Sequence, residues 1–269
     1  MKKLFCLFLF LSSVFQAHAQ SDLWKEWQKR GEKKPSLLPM YGGKPKSKSM
    51  LAADQKFLAT VDKQGGTRPA SSKEFSAMGW QYVQNREVIT AMYRFNQAWL
   101  LDSTNAEAYH GFGYITGMFE AYKESFDNFD RGLRCDSSNI ELLKDYVFMI
   151  IVKQKTAPSS SDISHAERLI RHTLAVNPNY AYAHHLNAKV LFYKRDYAEA
   201  WESLYLAKLK GSNSFDQVFI KVLHARMPDP RKELVKNYAS SFPFLASFPE
   251  MSPKTPPLIP NSPFLILNF

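Results

Sequence analysis

The sequence predicts an all-α protein, a solenoid of about four helical hairpins set between capping helices, with irregular ends. Three observations predict it. Small and aromatic positions recur at an offset of 34 residues, as Gly79, Ala91, Phe95 and Ala98 and again as Gly113, Ser125, Phe129 and Gly132. Both copies run on into the same polar punctuation, Asp102-Ser103-Thr104-Asn105 and Asp136-Ser137-Ser138-Asn139. Between these marks the apolar residues return at three- and four-residue steps, the period of a one-sided helix. With 269 residues, 45% of them hydrophobic, the chain is long and apolar enough to bury a core, which excludes a disulfide-stapled miniprotein and a disordered polymer.

Taken from the start, residues 1–19 read as a secretory signal. Lys2 and Lys3 precede an apolar run from Leu4 to Phe15, and Ala17-His18-Ala19 forms the small-x-small exit. The run is far short of the ~20 residues that span a bilayer, so cleavage near Ala19 and a periplasmic or secreted product are expected. Cys6 lies at the start of that run, the wrong place for a lipid attachment site, and Cys135 alone is left, so no internal disulfide is expected. Loss of Lys2 and Lys3 leaves 35 − 2 = 33 basic residues against 25 acidic ones, a net charge of +8. In that compartment nucleic acid is not the target. Peripheral contact with an anionic envelope surface is one reading, and a basic surface that only keeps the chain soluble is the other.

Residues 20–49 read as a basic flexible arm, because Pro35, Pro39, Gly42, Gly43 and Pro45 break any helix after about Arg30. Trp24 and Trp27 sit among its cations, as headgroup or partner contacts or as part of a plain exposed leader. A capping helix and linker follow over 50–71, with Leu51, Phe57, Leu58 and Val61 turned to the first hairpin. The repeats then occupy 72–214, as 72–105, 106–139, 140–180 and 181–214. Gly79, Gly113 and Ala188 let helices approach Ala91, Ser125, Ala166 and Ala200, while Phe75, Met78, Tyr82, Phe95, Tyr109, Phe112 and Phe129 form the apolar face. Ser164-x-x-Glu167 and Asp196-x-x-Glu199 have the capping-box form at the expected starts of second helices. The third copy carries a polar loop over 154–161, and the fourth places His184 and Asn187 where the other copies are apolar. A terminal lid is expected over 215–227. Nine of the 15 prolines then fall from Pro228 onward, so 228–269 reads as a proline-rich tail.

The small residue in the first helix, the alanine-then-aromatic step in the second and the proline exit at Pro178 resemble the tetratricopeptide repeat over 72–214. That resemblance implies a right-handed α-solenoid whose first helices line a concave peptide-binding groove. Carried over position by position, the groove would be built from Trp80, Gln84, His110, Tyr114, Met118, Lys144, Phe148, Tyr182, His185, Lys189 and Phe192. An aromatic row of this kind holds an extended or helical segment, and the lysines and histidines among the rings favour an acidic or polar one. The two-carboxylate clamp known in the family is disfavoured, since Ser76 and Trp80 stand where it needs a lysine and an asparagine.

Catalysis is not expected. The chain has no glycine-rich phosphate loop, no CxxC, no HExxH and no nucleophile triad spacing, and His184 and His185 point about 100° apart on one helix. No cofactor or metal is called for. The function expected is a non-catalytic periplasmic adaptor that binds a protein or peptide in its groove and assists assembly of an envelope complex. A self-associating scaffold, or basic-arm binding to anionic envelope polymer or lipid, are the alternatives.

Overall fold

The computed structural model describes residues 23–154 and 159–235, and among these the fold is all-α. Residues 1–22, which include the segment read as a signal, residues 155–158 of the polar loop and residues 236–269 of the proline-rich tail lie outside the described residues. Helix α1 spans 23–33 and is followed by two short 3-10 turns, Pro35–Leu37 and Pro39–Gly43. Then come α2 (Lys48–Lys63), the hairpin α3 (Arg68–Gln84) and α4 (Val88–Leu101), and the hairpin α5 (Ala106–Met118) and α6 (Tyr122–Cys135). Next are α7 (Ile140–Lys153), α8 (Ser160–Val176), α9 (Ala181–Lys194), α10 (Tyr197–Leu209) and the terminal α11 (Gln217–Arg226). The helices pack in chain order, as the sequence predicts, and form two compact units divided within α7 between Leu142 and Leu143.

In the first unit the hairpins are built around rings that lie directly on glycine. A Cβ at Gly79 would stand 2.7 Å from the Phe95 ring, one at Gly111 2.4 Å from the same ring, and one at Gly113 2.7 Å from Phe129. Phe95, Phe112 and Phe129 are fully buried. Gly113 also frees its carbonyl for the Ser125 hydroxyl at 2.7 Å, so the small residue of one helix and the small polar residue of the next are joined as well as close. Gly111, on the other side of α5 from Gly113, has no counterpart in the repeat spacing and is a contact that periodicity does not announce.

The turns inside the hairpins repeat too. Arg86, Glu120 and Arg195 all hold a left-handed backbone, with φ of 64°, 57° and 69°. Each is followed by a residue whose amide reaches five residues back: Glu87 to Tyr82, Ala121 to Thr116 and Asp196 to Leu191. This satisfies the last free carbonyls of the first helix and reverses the chain in two or three residues.

Several expectations are corrected. The arm read as flexible over 20–49 is ordered from residue 23. Trp24 and Trp27 are buried against Phe119, with ring centroids 5.9 and 4.7 Å away, and Trp27 Nε1 donates to the Leu37 carbonyl at 2.8 Å. The strap that follows is held by Asn96 of α4, 1% exposed: its Nδ2 donates to the carbonyls of Ser36 (3.0 Å) and Leu38 (2.9 Å), and its Oδ1 accepts from the Tyr41 amide at 3.1 Å. The turn chemistry is legible in the prolines and glycines, but the buried Asn96 that holds the strap from 55 to 60 residues away is not. Met78, assigned to the apolar face, and Leu51, expected to turn to the first hairpin, are exposed, whereas Phe57 of α2 does pack edge-on against Phe75 of that hairpin. Helix α8 begins at Ser160 under a Ser159 cap, so Ser164 lies inside it and donates to the Ser160 carbonyl. Asp196 occupies the cap position of α10 without a side-chain cap bond and lies 3.6 Å from Lys194.

In the second unit α9, α10 and α11 share a core of Phe192, Trp201, Leu204, Phe219 and Leu223. Asn187, out of place in the repeat pattern, is accommodated by donating to Ser203 Oγ at 2.8 Å across the hairpin. The first residues of the proline-rich segment are also docked. Trp201 Nε1 donates to the Met227 carbonyl, and buried Asp229 accepts from the Tyr205 hydroxyl and from the amides of Arg231 and Leu234.

Two outcomes are expected. Asn96→Ala should raise amide exchange of Tyr41 and of α1 while leaving α5 and α6 protected, at a cost of roughly 1–3 kcal/mol in denaturant unfolding. Gly111→Ala should destabilise by roughly 1–3 kcal/mol, because the Phe95 ring below it has no room to yield.

Candidate functional site

The residues assigned to the groove divide sharply by exposure. In the first unit Gln84 is exposed and Trp80 and Tyr114 are half-buried, whereas His110 and Met118 are buried. In the second, Tyr182 is exposed and Lys144 and Phe148 are half-buried, whereas His185, Lys189 and Phe192 are buried.

The buried three in the second unit are covered by the chain's own terminal helix. Lys189 Nζ bonds Asp216 Oδ2 at 2.7 Å and lies 5.7 Å from the Phe219 ring centroid. His185 stacks on Tyr182 at 5.6 Å and touches the rings of Phe215 and Phe219. Burial first, and the Lys189 charge second, push the His185 imidazole down to about 4 against the pull of Asp216. Of the four cationic positions that favoured an acidic segment, Lys144, Lys189, His110 and His185, two are therefore spent: Lys189 is already neutralised by a carboxylate and His185 is held uncharged. That expectation fails for these residues, because a terminal helix covers the last repeat's first helix and its chemistry has to be satisfied inside.

In the first unit the rings meet. Trp80 of α3 has its centroid 4.4 Å from His110 and 5.5 Å from Tyr114, both on α5, and 5.3 Å from Phe95 beneath. Trp80 and His110 share one partner, Glu107. Its Oε2 accepts from Trp80 Nε1 at 2.8 Å and lies 3.5 Å from His110 Nδ1, and its Oε1 accepts from Asn139 Nδ2 at 2.6 Å. Residues 107, 110 and 114 share one face of α5 by helical spacing, so the helix itself delivers the carboxylate to both rings. Burial acts to raise the Glu107 carboxyl, but the hydrogen bond and charge of His110, with the bonds from Asn139 and Trp80, outweigh it and hold it down at about 2. The side chain is thus an ionised anchor that fixes the Trp80 ring.

The repeat spacing by itself assigns no role to Glu107. The signal that bears on it is the repeated Asn105 and Asn139. Each caps the next first helix, Asn105 accepting from the Glu107 amide and Asn139 from the Leu142 amide. Each also sends its Nδ2 back to the preceding first helix: Asn105 to Ser72 and Ser76, Asn139 to Glu107. Asp216 does the same at α11, the last helix among the described residues, capping Phe219 while holding Lys189. Cys135 is an exposed thiol at the end of α6, pushed up by partial burial.

The His185 environment sets a pH dependence. The folded group sits below its ordinary 6.5, so its contribution is complete above that pH and is lost as pH falls towards about 4. Thermal unfolding should show stability declining across that window by on the order of 3 kcal/mol at most, and His185→Gln should flatten the decline.

No protein-family model matches this chain, and no curated protein matches it. Among solved structures, one from the functional characterization of Pseudomonas aeruginosa PilF aligns over 65% of this chain and 96% of that one, at 16% identity and a TM-score of 0.34.

Proposed function

We propose that this chain is a non-catalytic interaction protein of the bacterial envelope, exported by its N-terminal signal, which holds a segment of a partner protein on the first helices of its hairpins and so assists assembly of an envelope complex. The observation that carries this reading is the arrangement of Trp80 and Tyr114. Two large rings, half-exposed on adjacent first helices, are held in place by Glu107 and the core below, so a partner can bury them with little loss of side-chain freedom. Such rings are the residue types that dominate binding energy at protein interfaces. Headgroup contact through Trp24 and Trp27 finds no support, because both rings pack on Phe119.

The reading is tested with a photo-reactive phenylalanine analogue at position 80 or 114, and at Ile89 on α4 as control. Irradiation of living cells should give a discrete cross-linked protein from the first two positions and not from the third. Trp80→Ala with Tyr114→Ala should lower co-purification of that protein at least tenfold with helicity unchanged. An identical adduct pattern from Ile89, or undiminished co-purification, would sink the reading.

A further inference from the structure

The aromatic face of the first unit is paired with an anion, and we propose that the partner segment places a basic side chain, arginine above all, on the Trp80 ring beside the Glu107 carboxylate. This rests on the reading of that face as a binding surface and gives it a chemical preference opposite to the acidic one expected from sequence.

Glu107 is reachable, its side chain being 36% exposed, although three donors surround it. A carboxylate offers about four acceptor directions. Trp80 Nε1 and Asn139 Nδ2 take two, and His110 Nδ1 stands at 3.5 Å from a third, which leaves room for a donor from outside. His110 is only 2% exposed, so a donor arriving from solvent meets the carboxylate, and because the imidazole lies 3.5 Å from that oxygen the negative charge is full where His110 is neutral and offset where it is protonated.

The bond from Trp80 to Glu107 has a second consequence. It pins the indole edge 2.8 Å from the carboxylate oxygen, so the ring face and the negative charge lie side by side. Tryptophan is the best ring for a cation within about 6 Å of its centroid. A guanidinium is planar, is weakly hydrated and carries donors in a rigid fork, so it can stack on the indole and bond the carboxylate at once. An ammonium satisfies one of these contacts well, and a carboxylate ligand would meet repulsion. Of the two exposed cations of α3, Arg68 is paired with Asp62 at 2.9 Å, and Lys73 is two helical turns from Trp80, ~10 Å along the axis. That separation is about one screening length in 0.1 M salt, so Lys73 does not cancel the site.

The test uses the full chain labelled with nitrogen-15, reading the Trp80 indole N–H resonance, which Trp80→Phe identifies. Three blocked tripeptides, Ala-Arg-Ala, Ala-Leu-Ala and Ala-Glu-Ala, are titrated at matched ionic strength. The arginine peptide should move the resonance saturably and bind about fivefold more tightly than the leucine peptide, with the glutamate peptide weakest. Glu107→Gln should reduce arginine binding to the leucine level while the indole resonance stays dispersed. Equal binding by arginine and leucine, or a preference for glutamate, overturns the basic side chain and leaves the groove standing. Failure of all three peptides to move Trp80 overturns both. The comparison among peptides on the unaltered chain decides the matter even if Glu107→Gln disturbs the Trp80 ring.

Discussion

The contact on which the first unit depends is a phenyl ring lying flat on the backbone of a neighbouring helix. Phe95 touches Gly79 on one side and Gly111 on the other, and Phe129 touches Gly113. A ring can sit there only if the position below carries no side chain, and the helix axes then come close enough for Ser125 to bond the Gly113 carbonyl. Hairpin spacing, burial of Phe112 beside the Phe95 ring and the placement of Trp80 over Phe95 all descend from that approach. Packing of this density transmits small displacements, so a methyl group added under the ring is felt at the surface above it.

A second, polar layer is superimposed on the apolar one. The residues that cap the first helices also bond backward to the helix before: Asn105 to two serines, Asn139 to Glu107, Asp216 to Lys189. A cap that only satisfied free amides would stabilise its own helix. One that also reaches the previous helix fixes the separation between consecutive first helices, and this is why Glu107 is rigid enough to hold an indole ring. The same device supports an open face in the first unit and a covered one in the second, where α11 supplies the capping aspartate.

The 34-residue offset made the helices, their order and Gly79, Gly113, Phe95 and Phe129 legible, because stacking requires the same residue types at the same step. What was not legible departs from the repeat. Asn96 looks like one polar residue on an amphipathic helix until Ser36, Leu38 and Tyr41 are brought to it from nearly sixty residues away. Ser164 offered a capping pattern that lost to Ser159, which starts α8 a turn earlier. Of the positions assigned to the groove, Trp80 and Tyr114 lie 5.5 Å apart on the first unit, whereas the covering of Lys189 and His185 by α11 and the residues before it is not legible in the repeat spacing. The charge preference of a repeat groove therefore cannot be summed from its wall residues alone, since the terminal copy neutralises its own.

Asn96 grips the strap entirely by main-chain atoms: two carbonyls and one amide, and no side chain of residues 36, 38 or 41. A clasp of that kind recognises a path and is indifferent to the letters written along it. Ser36 and Tyr41 are free to change as far as this clasp is concerned, provided the replacement tolerates the local backbone, while the asparagine itself has no substitute that both donates twice and accepts once from the same spot. Sequence drift should accordingly gather in the segment being held and spare the single side chain that holds it.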